Sequence, residues 1–179
     1  MTADPLHDER ATLAADVARV AQLRGDFILS SGRRSAYYFD KYRFETDPAL
    51  LRRIARGLAG LLDTNVDRLA GPELGAVALV TAVSLETGIP FVIVRRAAKD
   101  HGGSRQIEGT LAAGDRVVVI EDVITTGGQA LAAAERVAAA GATVTAILAV
   151  IDREEGGSDA IRSAGHDFRP LLMKADLPG

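Results

Sequence analysis

The stretch that decides the fold is Val117-Val118-Val119-Ile120-Glu121-Asp122-Val123-Ile124-Thr125-Thr126-Gly127-Gly128-Gln129. A run of apolar, β-branched residues bounded by polar ones reads as a strand buried on both faces, over Arg116 to Ile120, as in a parallel sheet. Two adjacent carboxylates stand at its C-terminal end, and a turn of small residues leads from them into an alanine-rich helix. In open α/β sheets, ligands bind in the crevice beyond the carboxyl ends of the strands. The turn Thr125 to Gln129 can aim several backbone N–H groups at one point, at the positive end of a helix, with threonine hydroxyls as further donors. This is a phosphate cradle. Acids beside a phosphate repel it unless they bind something else, and sugar hydroxyls or a magnesium ion are the natural partners. The expected ligand is a phosphorylated sugar. Nucleotide hydrolases also end a strand in acids, but they need a Gly-x-x-x-x-Gly-Lys-Ser/Thr loop, which this sequence lacks.

Outward from that strand, elements alternate. Asp67 to Ala70, Phe91 to Val94, Thr143 to Ile151 and Phe168 to Met173 read as strands. Helices are expected over Ala76 to Glu86, Gly128 to Ala140 and Ser158 to Ala164, with Gly88 and Pro90 ending the first of them. Asp47-Pro48 supplies an N-cap and a first-turn proline to a helix over Ala49 to Leu62. The alternation predicts an α/β fold with a mainly parallel central sheet flanked by helices. The start breaks the rhythm. Glu9 to Arg24 reads as a helix stopped by Gly25, and Phe27 to Leu29 with Ala36 to Phe39 as a hairpin. These form a small N-terminal hood, approximately 1–45, on a core of approximately 46–179, within a single domain of 179 residues.

Composition narrows the chemistry. There is no cysteine, which excludes disulfides, thiolate zinc sites and a cysteine nucleophile. His7, His101 and His166 are too dispersed to suggest a metal cluster. A metal, if used, is a hard cation held by oxygens. The net charge of −3 argues against a protein that coats nucleic acid. No apolar run approaches the roughly 20 residues of a membrane span, and the polar start has no signal-peptide pattern, so a cytoplasmic chain is expected. Of 21 basic residues only Lys41, Lys99 and Lys174 are lysines, positions where an amine is wanted for its own chemistry.

A second segment, Arg95-Arg96-Ala97-Ala98-Lys99-Asp100-His101-Gly102-Gly103, carries three fixed cations and a histidine ahead of two glycines. It suits a lid that closes on an anionic leaving group such as diphosphate, stabilises its developing charge and excludes water.

The Val117–Gln129 segment resembles the PRPP-binding signature of the type I phosphoribosyltransferases, which recognise 5-phosphoribosyl 1-diphosphate. The Arg95–Gly103 segment is similar to the loop of the orotate phosphoribosyltransferases, Arg-Lys-x-x-Lys-x-His-Gly, with Arg96 standing where the family usually has lysine. The resemblance covers about Gly25 to Gly157. It implies transfer of 5-phosphoribosyl from PRPP to orotate, giving orotidine 5-monophosphate and diphosphate in pyrimidine synthesis, with Mg2+ as cofactor. It implies catalytic roles for Lys99, His101 and Asp122. PRPP contacts are implied for Arg95, Arg96, Lys99, His101, Glu121, Asp122, Val123, Ile124, Thr125, Thr126, Gly127, Gly128 and Gln129, with magnesium near Glu121 and Asp122. Orotate is implied to meet Thr125, Arg153, Tyr38 and Phe39. Gly71-Pro72-Glu73-Leu74-Gly75 resembles the diphosphate-side turn of the family, and the family's lid implies a homodimer with the loop reaching the neighbouring subunit.

Two departures stand out: Ser30 replaces a hairpin lysine of many relatives, and the turn near Leu74 lacks a lysine that some relatives have. A phosphoribosyltransferase for another base, and a PRPP-sensing regulator of the same fold, remain alternatives.

Overall fold

The computed structural model describes residues 5–28, 34–96 and 106–178. The central sheet has six strands in the order β5-β4-β3-β6-β7-β8: β3 (Arg68–Pro72), β4 (Phe91–Val94), β5 (Ile107–Glu108), β6 (Arg116–Ile124), β7 (Thr143–Asp152) and β8 (Phe168–Met173). All neighbours run parallel except the short β5, which is antiparallel to β4 on one edge. The chain winds outward from β3 to β4, then returns across β3 to place β6 on its other side. That reversal makes the β3/β6 crevice the topological switch point, the usual ligand site of such a sheet.

The pleat explains how β6 is buried twice. Val118 and Ile120 face a core shared with α1 (Pro5–Ala21), α3 (Pro48–Ala59) and α4 (Ala76–Thr87), whose Val17, Ile54, Leu58, Leu79 and Val83 are buried there. Val117 and Val119 face the opposite core under α5 (Gly128–Ala139) and α6 (Gly157–Ser163), with Ala134, Val137 and Ile161. Alternate side chains of a strand point to opposite faces, so a continuous apolar run is what a two-sided core requires.

Asp47 caps α3 as expected, its Oδ1 accepting from the N–H groups of Ala49 (2.9 Å) and Leu50 (3.0 Å). Gly88 ends α4 in the left-handed region. The hairpin is a separate two-stranded sheet of β1 (Gln22–Ile28) and β2 (Arg34–Phe39), followed by a short helix, α2 (Tyr42–Glu45).

Three boundaries differ from the sequence reading. β6 extends to Ile124 rather than stopping at Ile120, because β7 offers partners as far as Asp152. The first helix ends at Ala21, not Arg24, and β1 begins at once, since Gln22 pairs with Phe39 at the base of the hairpin. Part of the apolar stripe of α1, Leu13, Ala14, Val17 and Ala21, belongs to the main core, and Phe39 of β2 packs against it. Among the described residues, no helix is long and apolar enough to cross a membrane.

Leu148 on β7 is fully buried in the first core. Leu148→Ala is expected to destabilise the protein by about 2–5 kcal/mol, read as a lower midpoint in thermal or urea unfolding.

Candidate active site

Glu121 and Asp122 lie in the buried C-terminal half of β6, 5% and 2% exposed, with Ile124 buried beyond them. The chain then turns outward: Thr125 and Thr126 are exposed, and Gly127 adopts φ +80° as the N-cap of α5. That left-handed conformation costs glycine little and other residues more, and it turns the helix N-terminus toward the cavity. The cavity, about 120 Å³, is lined by Lys41 and residues 121–130. Helix N-termini carry unpaired N–H groups and partial positive charge, so this is an anion site with carboxylates on its flank.

A second element closes on the same place. After β3 the turn Gly71 to Gly75 contains a cis peptide between Glu73 and Leu74 and leads into α4. A Cβ at Gly75 would lie 1.7 Å from Asp122 Oδ2 and 2.9 Å from Lys41 Nζ, so only glycine lets the turn approach this carboxylate. Lys41, between β2 and α2, donates to Asp122 Oδ2 at 2.5 Å, and Asp122 Oδ1 accepts from the N–H of Val123 at 2.5 Å.

A larger cavity, about 410 Å³, lies between the hairpin and the end of β7, lined by Gln22, Arg24, Phe39, Arg153, Lys174 and Leu177, among others. The Arg153 guanidinium carbon sits 5.9 Å from the centre of the Phe39 ring, within cation–π range, and its Nη2 is 3.1 Å from Glu155. Asp152, 1% exposed, holds this corner together. Its Oδ1 accepts from the N–H of Glu154 at 2.9 Å, and its Oδ2 accepts from the Ser158 hydroxyl.

A family model described as phosphoribosyl transferase domain matches residues 43–164. The chain is 48% identical over 167 residues to an orotate phosphoribosyltransferase of Nocardioides sp., covering 93% of each. Its fold matches a crystal structure of orotate phosphoribosyltransferase from Mycobacterium tuberculosis H37Rv in complex with Fe(III) dicitrate. The TM-score is 0.88 and the identity 37%, covering 96% of this chain and 99% of that one. The same enzyme in complex with PRPP matches at a TM-score of 0.81 and 34% identity, over 94% of this chain and 98% of that one. The chain belongs to the orotate phosphoribosyltransferases.

Most of the expected site residues of this phosphoribosyltransferase converge. Glu121 through Gln129 form the cradle wall, and Phe39 and Arg153 meet in the second cavity. Arg95 and Arg96, which follow β4, are tied to the β3–α4 turn: the Arg96 N–H donates to Glu73 Oε1 at 2.8 Å, and Arg95 Nε lies 4.0 Å from Glu73 Oε2. Arg96 Nη2 also donates to Gln129 Oε1 at 3.2 Å, joining this pair to the first turn of α5. Lys99 and His101 lie outside the described residues.

Tyr38 does not join Phe39. Consecutive strand residues face opposite ways, and Tyr38 is 43% exposed, with its ring 5.6 Å from that of Phe27. Sequence reasoning passed over Glu45, Glu73, Asp152 and two of the three lysines, Lys41 and Lys174. Lysine scarcity pointed to the two lysines, and the Gly71–Gly75 turn contained Glu73.

Three carboxyls crowd below the cradle. Burial, then the charge of Asp122, pushes Glu121 and Glu45 up to about 8. Burial pulls the Lys41 ammonium down, but the attraction of Asp122 outweighs it and the net shift is upward. The raised acids hold protons in the folded chain up to about pH 8 but release them near 4.5 when unfolded. The folded state therefore binds more protons between those limits, and stability falls as pH rises through the window. Glu45→Gln, a neutral isostere of the protonated acid, is expected to flatten this slope: a midpoint similar to the parent at pH 5.5 and higher than the parent at pH 8.5, measured by thermal unfolding.

Proposed function

We propose that the cradle, the β3–α4 turn and the larger cavity together move the 5-phosphoribosyl group of PRPP to N1 of orotate. The products are orotidine 5-monophosphate and diphosphate, as pyrimidine nucleotide synthesis requires. The observation that carries the reading is the pairing of an anion cradle on buried acids with a neighbouring cavity where an arginine lies against an aromatic ring. One holds a sugar phosphate; the other suits a flat, carboxylated base.

In this reading, the N–H groups and hydroxyls of Thr125 to Gln129 hold the 5-phosphate, and Glu121 and Asp122 hold the ribose hydroxyls. Arg153 pairs with the orotate carboxylate through its fork of donors, Phe39 lies along the ring, and Thr125 reaches the base edge. Orotate N1 is nucleophilic once ionised, so no strong protein base is needed. The N1–C1 bond forms as the bond from C1 to diphosphate breaks, with charge passing to the leaving group. Lys99, Arg95 and Arg96 neutralise that charge, His101 donates to it, and lid closure keeps water from the ribosyl centre.

The residues fit magnesium. Carboxylates are hard oxygen donors, and Glu121 Oε2 is buried without a hydrogen-bond partner among the described residues. Bound with PRPP, the ion supplies charge neutralisation at the diphosphate. PRPP provides most of its ligands, with Glu121 and Asp122 nearby. A homodimer in which the lid reaches the neighbouring subunit completes the proposal, in a cytoplasmic enzyme.

Purified protein with PRPP and magnesium is expected to consume orotate, followed as loss of its near-ultraviolet absorbance. No consumption, with PRPP still bound in calorimetry, would keep the cradle and reject the base. Arg153→Ala is expected to raise the orotate KM by about 10- to 100-fold, the loss of a charge-assisted pair, with a much smaller effect on the PRPP KM. Lys99→Ala is expected to lower kcat by about 100-fold or more while PRPP affinity changes little. An unchanged kcat there would sink the lid's catalytic role.

A further inference from the structure

Lys41 is the one basic residue among those lining the cradle cavity. Its side chain is 31% exposed, against 3% for the Asp122 side chain it bonds. Its Nζ makes that single hydrogen bond among the described residues, and an ammonium has three donors. Two remain for something else.

Position gives those donors a direction. Nζ lies 2.9 Å from where a Cβ on Gly75 would stand, so the ammonium rests at the end of the Gly71–Gly75 turn, facing it across Asp122. The turn has no basic residue of its own, and Leu74 is 68% exposed. Meanwhile Glu45, Glu121 and Asp122 gather three carboxyls within reach of Lys41. An anionic substrate entering there meets the Asp122 carboxylate, and a cation facing the substrate offsets that repulsion. A lysine serving only to neutralise Asp122 would need neither the exposure nor a place in the cavity wall. The sequence uses arginine almost everywhere else, and a lysine here places a compact point charge beside Asp122 and Gly75.

We propose that Lys41 is a PRPP-binding residue. Its ammonium, fixed by Asp122, bonds an anionic oxygen of the substrate's diphosphate on the turn side of the cavity, and supplies there the cation the turn lacks. This rests on reading the cavity as the PRPP site.

Calorimetry with three probes in magnesium buffer tests it: PRPP, inorganic diphosphate, and ribose 5-phosphate, which has the phosphate and the hydroxyls but no diphosphate. Lys41→Met is expected to weaken PRPP and diphosphate by about tenfold or more and to leave ribose 5-phosphate within about twofold, matching the loss of one charge-assisted bond. If Lys41→Met does not fold, as judged by circular dichroism, Lys41→Gln replaces it, keeping a donor toward Asp122 without the charge, with the same pattern expected. Equal weakening of all three probes would mean that Lys41 only positions Asp122, and would overturn the proposal. So would PRPP affinity within about twofold of the parent. Failure of the parent protein to bind PRPP would overturn the cradle reading and this proposal with it, whereas undisturbed PRPP binding by the variant overturns this proposal alone.

Discussion

Two adjacent carboxylates inside a sheet are the constraint around which the molecule is organised. β6 is apolar along most of its length, as the middle of the sheet requires, yet it carries two acids, Glu121 and Asp122, shortly before its C-terminal end. Glu121 and Asp122 are therefore buried where a bare charge is costly, and everything near them answers that cost. Lys41 pairs with Asp122, the N–H of Val123 donates to it, and the raised proton affinity of Glu121 and Glu45 reduces the number of charges present at once. The cluster of acids is electrostatically crowded and balanced by local pairing.

That constraint also explains the appended hairpin. A lysine from the core strands would have to come from the same crowded crevice, but one placed just after β2 enters from the side. The helix α1 packs into the main core and anchors the base of the hairpin, so β2 delivers Phe39 to one cavity and, two residues on, Lys41 to the other. A single strand end thus contributes to both halves of the site. Glu73 makes a comparable link on the opposite side, joining the β3–α4 turn to Arg95 and Arg96. The β3–α4 turn and the Arg95-Arg96 pair share this carboxylate.

Much of the core and the course of the Thr125–Gln129 turn into α5 were legible in the chain as written. The valine run, the Asp47-Pro48 helix start, the Gly88 stop and the Thr125–Gln129 turn each depend on neighbours within a few residues, and local sterics and hydrogen bonding settle them. Strand ends were less legible. β6 runs on to Ile124 because β7 pairs with it, and β1 starts at Gln22 because Phe39 is opposite. Pairing partners far away in sequence decide such limits, not propensity.

The sequence by itself determined the α/β alternation, the position of the acids at the end of the central strand, and the small-residue turn that makes an anion site, since periodicity and backbone chemistry are written locally. Only the tertiary structure decided that Lys41 meets Asp122 across 81 positions, that Gly75 must stay bare beside them, that Glu45 is buried, and that Phe39 rather than Tyr38 faces Arg153. Each is a contact between elements far apart in the chain, brought together by strand pairing and by the packing of the core. No spacing within one segment encodes the distance between two side chains that the core alone brings together.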